Sequence, residues 1–300
     1  MKLNLATFLL IAVIMGFATP TRASDFETVT FAAPKLGGMK VSVNVILPRD
    51  YATSKGRFPV LYLLDGYGGN HMTWVKESHI IQDAAPYGEI IVMPDYGVSS
   101  WYVNSYANPS QRWEDFMIQD LIPYVDSHYR TIAARRGRGT AGDSMGGYGA
   151  MMLGLKHADM FAAVASLSGT LRCAEWDVVK IDAGFRESLR AAFGPQDNPA
   201  RAAEDPFELV KTTPPAQMPQ LYFSIGEGDG QVLLEDNRAF ARLLAQLKIP
   251  YEYREVPGGH KWPVWEGEIQ RVLAFQAPVL GVEVESSQGA KREPDRVQRP

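Results

Sequence analysis

The residues best placed to do chemistry are Gly142-Asp143-Ser144-Met145-Gly146-Gly147, a G-x-S-x-G pattern followed by another glycine. A serine on a sharp strand-to-helix turn needs small neighbours, because the backbone packs closely there and holds the serine in a strained conformation. Such a turn exposes the hydroxyl and aims the first amides of the helix at developing negative charge. The flanking sequence has the required form: Arg138–Ala141 reads as a short strand and Tyr148–Leu155 as an apolar helix. A glycine-rich structural turn is the plainer reading, and the context argues against it. The same stretch spells G-x-G-x-x-G over Gly137, Gly139 and Gly142, a dinucleotide-binding pattern. Here those glycines precede or lie within the strand, and Asp159 ends a helix, so the match is taken as coincidence.

A serine hydroxyl needs a base, and the base needs an acid to orient it. His260, in Pro257-Gly258-Gly259-His260-Lys261-Trp262, follows a strand and precedes a helix, which makes it the best base. His79, His128 and His157 lie in or near helices, where an exposed structural role is the default; His71 lies near a glycine-rich loop and stays a pocket candidate. Asp229, after the strand Gln220–Ile225, is the chosen acid; Glu227 is the runner-up, and helix capping is the plainer role for Asp229. The chain order Ser144, Asp229, His260 suits three residues that follow successive strands at one sheet edge. Two backbone amides would complete an oxyanion hole: Met145, beside the serine, and Tyr67, in Asp65-Gly66-Tyr67-Gly68-Gly69-Asn70. Trp101, Tyr102 and Trp262 join His71 as candidate pocket residues.

The elements that must position these groups alternate along the chain. Met39–Leu47 and Tyr251–Val256 alternate apolar and polar residues, as half-exposed strands do, whereas Phe58–Leu64, Glu89–Met93, Phe161–Leu167 and Gln220–Ile225 are the nearly continuous apolar runs of buried parallel strands. Helical spacing marks Arg112–Tyr129, with a kink or restart at Pro123, and a stripe from Leu233 to Leu247. Repeated β-α alternation predicts an α/β fold, with a mostly parallel sheet carrying helices on both faces. Residues 171–219 break the rhythm and are expected to form an irregular, partly helical insertion over one end of the sheet.

Composition excludes other classes. Of 300 residues, 46% are hydrophobic and 21% charged, which rules out collagen and bulk disorder; the net charge of −4, with no basic run in the folded part, argues against nucleic acid. One cysteine, Cys173, and no Cys/His cluster of zinc spacing lead to no expected metal or cofactor. Residues 1–23 read as a signal peptide cleaved after Ala23, with Ala18 as second choice, so no membrane span is expected in the mature chain and export to the periplasm or beyond is. The folded domain is assigned to 24–280 and a flexible polar tail to 281–300.

Together, the LLDGYGGN loop, Asp120-Leu121-Ile122-Pro123, the GDSMGGYGA turn, GEGD and PGGHKW, in that order between about Val41 and Phe275, resemble the esterase D-like branch of the α/β-hydrolases. That branch includes bacterial tributyrin and feruloyl esterases, S-formylglutathione hydrolases, enterochelin-esterase-like proteins and mycolyltransferases. The resemblance implies Ser144 as nucleophile, Asp229 as acid, His260 as base, and the amides of Tyr67 and Met145 as oxyanion donors. Two positions depart from the pattern. Asp65 stands where many esterases carry His, as in the mycolyltransferases, and Asp143 stands where many relatives carry an uncharged residue. A carboxylate at 143 would either raise the pKa of the base or pair with an arginine such as Arg138. The expected activity is serine carboxylic-ester hydrolysis of a small-molecule ester with a small acyl, aromatic or sugar group. The alternatives are an acyltransferase acting on envelope sugars or lipids, and a non-catalytic binding module on the same fold. A cytosolic S-formylglutathione role is disfavoured by the exported N-terminus.

Overall fold

The computed structural model describes residues 26–176 and 182–285. Eight strands form one sheet: β1 (Glu27–Ala33), β2 (Met39–Ile46), β3 (Val60–Leu64), β4 (Ile90–Pro94), β5 (Arg138–Asp143), β6 (Ala163–Leu167), β7 (Gln220–Gly226) and β8 (Tyr251–Val256). Their spatial order is β1-β2-β4-β3-β5-β6-β7-β8. β1 and β2 pair antiparallel, β2 joins β4 antiparallel, and the strands from β4 across to β8 are parallel. This is the mostly parallel sheet that the β-α alternation predicts, in the α/β-hydrolase arrangement that the motif resemblance implies.

β3 is buried at every position because both faces of the sheet are covered. Val60, Tyr62 and Leu64 point to one core, shared with helix α5 (Met145–Lys156) and α8 (Gln231–Gln246). Leu61 and Leu63, one residue out of phase, point to the other, built on α1 (Thr73–Glu77), α2 (Ile80–Ala84) and α9 (Trp262–Leu280). The sequence reading did not include β1. Its ETVTFAA stretch is exposed at most positions and lies at the sheet edge, so it lacks the apolar signature of an interior strand.

The stretch around Pro123 is helical in three parts: α3 (Trp113–Asp115), a π-wound segment Phe116–Leu121, and α4 (Ile122–His128) with Pro123 in its first turn. Proline has no N–H to donate to the preceding turn, and the change of winding falls where that bond would have been made. Within 171–176 and 182–219 the chain forms short helical turns plus α6 (Ala183–Phe193) and α7 (Pro206–Thr212). This segment is tied to α5 by Tyr148 Oη, which donates to the Glu204 carbonyl at 2.7 Å.

The assigned leader 1–23 and residues 286–300 of the assigned tail lie outside the described residues. The first five residues of the assigned tail, 281–285, pack onto the domain. Val282 is buried, Gly88 N–H donates to the Glu283 carbonyl at 2.8 Å, and Glu285 N–H donates to Pro86 at 2.8 Å. The packed fold therefore includes residues 281–285, past the assigned boundary at 280.

Candidate active site

Ser144 sits between β5 and α5 with φ 51° and ψ −115°. That strained conformation requires glycine on either side. A methyl at Gly142 would stand 2.5 Å from the Gly146 backbone, and one at Gly146 would stand 2.6 Å from the Leu64 carbonyl oxygen. The G-x-S-x-G spacing is thus a packing demand of the turn.

Asp229 and His260 arrive on neighbouring loops. After β7, Glu227 N–H donates to the Val256 carbonyl at 2.9 Å and Gly228 N–H to the Gly258 carbonyl at 2.6 Å, which binds this loop to the one after β8. Gly258 turns with φ 122°, where a side chain would be strained. His260 Nε2 lies 2.8 Å from Ser144 Oγ, and His260 Nδ1 lies 3.4 Å from Asp229 Oδ2. The second distance is at the loose end of hydrogen-bond geometry; such contacts commonly tighten on substrate binding. The Asp229 carboxylate is fully buried, while the imidazole is 33% exposed and meets Trp265 edge-on at 5.0 Å between ring centres. Glu227, the alternative acid, is exposed, and the hydrogen-bond partners of His260 among the described residues are Asp229 and Ser144.

The loop after β3 is nearly saturated in hydrogen bonds. Gly68 N–H donates to Val98 at 2.8 Å, Gly69 N–H to Gly66 at 3.1 Å, and Asn70 N–H to Thr73 Oγ1 at 2.7 Å, while the Gly66 amide faces the Asp143 carboxyl. The amides of Tyr67 and Met145 have no acceptor among the described residues. One of these free donors follows Ser144 in the chain and the other belongs to a loop that lines the same cleft as Ser144, so both are available to an oxygen bound there.

A cleft of about 530 Å³ opens over these groups, and its walls include Trp176, Phe185, Leu233, Trp262 and Trp265. Of the pocket candidates, Trp262 lines it. Trp101 and Tyr102 do not: both are completely buried, and this corrects the expectation. Trp101 packs edge-on against Phe185 at 5.1 Å and donates Nε1–H to Ser188 Oγ at 3.1 Å, and Tyr102 Oη donates to the Asp65 carbonyl at 2.6 Å. Their loop folds inward because each polar ring atom finds a partner there. They support the wall one layer behind. His71 is also outside the cleft lining, with Nδ1 3.7 Å from Asp95 Oδ2. Trp176 and Phe185 carry no motif that marks them as lining residues; only the fold of the 171–219 segment brings them to the cleft.

Arg138 pairs with Asp126 at 2.5 Å, which overturns its suggested pairing with Asp143. Burial, and then the nearby Asp65, pushes the Asp143 carboxyl well above the usual carboxylate range. Burial likewise pushes Asp65 up to about 7.

Residues 35–275 match the model of the Esterase family. The chain belongs to that family. Esterase Rv1288 of Mycobacterium tuberculosis is 35% identical over 248 residues, 74% of this chain and 53% of that protein, so the chain spans about half the length of that relative. An acetyl esterase of Caldicellulosiruptor saccharolyticus is 26% identical over 231 residues, covering 73% of this chain and 83% of that one. Among solved structures, the serine hydrolase FphF of Staphylococcus aureus superposes with a TM-score of 0.75 at 24% identity, over 85% of this chain and 98% of that one. The chain has the α/β-hydrolase fold, as the order of its motifs implies.

Proposed function

We propose that this esterase-family protein cleaves carboxylic esters through an acyl-enzyme on Ser144. The observation that carries the reading is the 2.8 Å contact between His260 Nε2 and Ser144 Oγ at the floor of the cleft. His260 takes the hydroxyl proton as Oγ attacks the ester carbonyl, and Asp229 holds the ring with its other nitrogen toward the buried carboxylate. The carbonyl oxygen becomes an oxyanion between the amides of Tyr67 and Met145. The imidazolium then protonates the leaving alkoxide, and water, activated by the same histidine, releases the acid.

The cleft volume and its aromatic walls suit a small acyl, aromatic or sugar ester. Export is part of the same proposal and rests on the leader-like sequence of residues 1–23. The test is labelling with a fluorophosphonate probe, mapped by peptide mass spectrometry, followed by turnover of acetyl, longer-chain, feruloyl and acetyl-sugar esters. Label on Ser144 and turnover of one ester class support the reading. A chain that takes no label would be a binding module, and products built on an added alcohol in preference to water would make it an acyltransferase.

A further inference from the structure

Two buried carboxyls flank the oxyanion loop. Asp65 opens it and Asp143 immediately precedes the nucleophile. Neither forms an ion pair among the described residues, and one oxygen of each, Asp65 Oδ2 and Asp143 Oδ1, has no hydrogen-bond partner. Asp143 lies hard against the loop: a methyl at Gly66 would stand 2.6 Å from Asp143 Oδ2 and 3.3 Å from Ser144 Cβ. Carboxyl, loop and nucleophile therefore meet around one glycine. The Gly66 amide faces that carboxyl, and the next amide along the chain is the free one of Tyr67.

We propose that Asp143 is a positioning residue: its carboxyl holds Gly66 against the turn of the nucleophile and so fixes the direction of the Tyr67 amide toward the oxyanion. The inference rests on the reading of Ser144 and Tyr67 given above. Asp143 acts through Gly66. One oxygen receives the Gly66 amide, and burial pushes the group well above the usual carboxylate range, which disfavours a charge beside the imidazole. Nothing in an apolar residue of the same size could anchor that amide.

The experiment compares D143A, D143L and D143N with the wild-type chain in ester turnover, with unfolding midpoints measured alongside. Loosening one oxyanion donor without removing it should lower kcat about 10- to 100-fold in D143A and D143L, with KM changed less than about threefold. D143N should recover most of that kcat, because its carboxamide has the same shape and keeps an oxygen acceptor for Gly66. Loss that persists in a variant with a wild-type midpoint separates positioning from folding. A D143L or D143A kcat close to wild type, a change confined to KM, or D143N as slow as D143L would overturn the proposal. Fluorophosphonate labelling of the wild-type chain separates the two levels. No label at Ser144 removes the nucleophile reading and this inference with it, whereas a labelled Ser144 with unaffected variants removes this inference alone.

Discussion

Gly146→Ala sets two physical effects against each other. Gly146 is the second residue of α5, where alanine is the better helix former by up to about 1 kcal/mol. Its methyl, however, would stand 2.6 Å from the Leu64 carbonyl oxygen and 2.7 Å from that of Asp65. Both are backbone atoms and cannot swing aside. Ordinary contact begins at 3.4 Å, so the end of β3 must retreat by about 0.8 Å. Overpacking of this kind costs about 1–3 kcal/mol, which exceeds the propensity gain. The displaced backbone leads directly into the loop that carries Tyr67, and misplacement on the order of 1 Å costs about 100-fold in rate. Gly267→Ala is the control: Gly267 lies on the exposed side of α9 with nothing within 4 Å of the added methyl. It should gain about 0.5–1 kcal/mol from propensity alone and leave turnover unchanged. Urea unfolding and p-nitrophenyl acetate turnover of the two variants decide the matter. A Gly146→Ala protein as stable as Gly267→Ala, with wild-type turnover, would refute the packing argument.

Asp229→Asn should leave the fold intact and lower kcat by about 10⁴-fold, since the amide stabilises the wrong histidine tautomer; a loss under tenfold would point to another orienting group. Glu89 is buried, accepts from Gln276 Nε2 at 2.8 Å, and has its pKa pushed by burial from 4.5 up to about 8. Between those values the folded chain holds a proton that the unfolded chain has lost, so this group makes stability fall as pH rises from about 4.5 to about 8. Glu89→Gln should match wild type in urea unfolding at pH 5 and exceed it at pH 8 by on the order of 2–4 kcal/mol; equal curves at both pH values would contradict this.

Much of the sheet was legible because burial on both faces leaves a direct mark on composition: VLYLL and IIVMP have no alternative solvent-facing side. β1 left no such mark, since an edge strand that is half exposed tolerates Glu and Thr. The turn around Ser144 was readable from its glycines, whose absence of side chains is a local requirement. The cleft was not. Trp101 and Tyr102 occupy an irregular loop, and loops usually lie at the surface, yet hydrogen bonds to Ser188 and to the Asp65 carbonyl draw both inside. Trp176 and Phe185 reach the site only through tertiary folding of the 171–219 segment, and no period or spacing records that. The environment of Asp143 was equally hidden, because Arg138, its sequence neighbour, pairs instead with Asp126.

The most direct measurement of the central claim is turnover of p-nitrophenyl acetate by Ser144→Ala, compared with wild type at matched folding. If the hydroxyl 2.8 Å from His260 Nε2 is the attacking group, kcat/KM falls by several orders of magnitude, toward the residual about 10³–10⁴-fold over water that binding and the oxyanion amides supply alone. Turnover within tenfold of wild type would contradict the account.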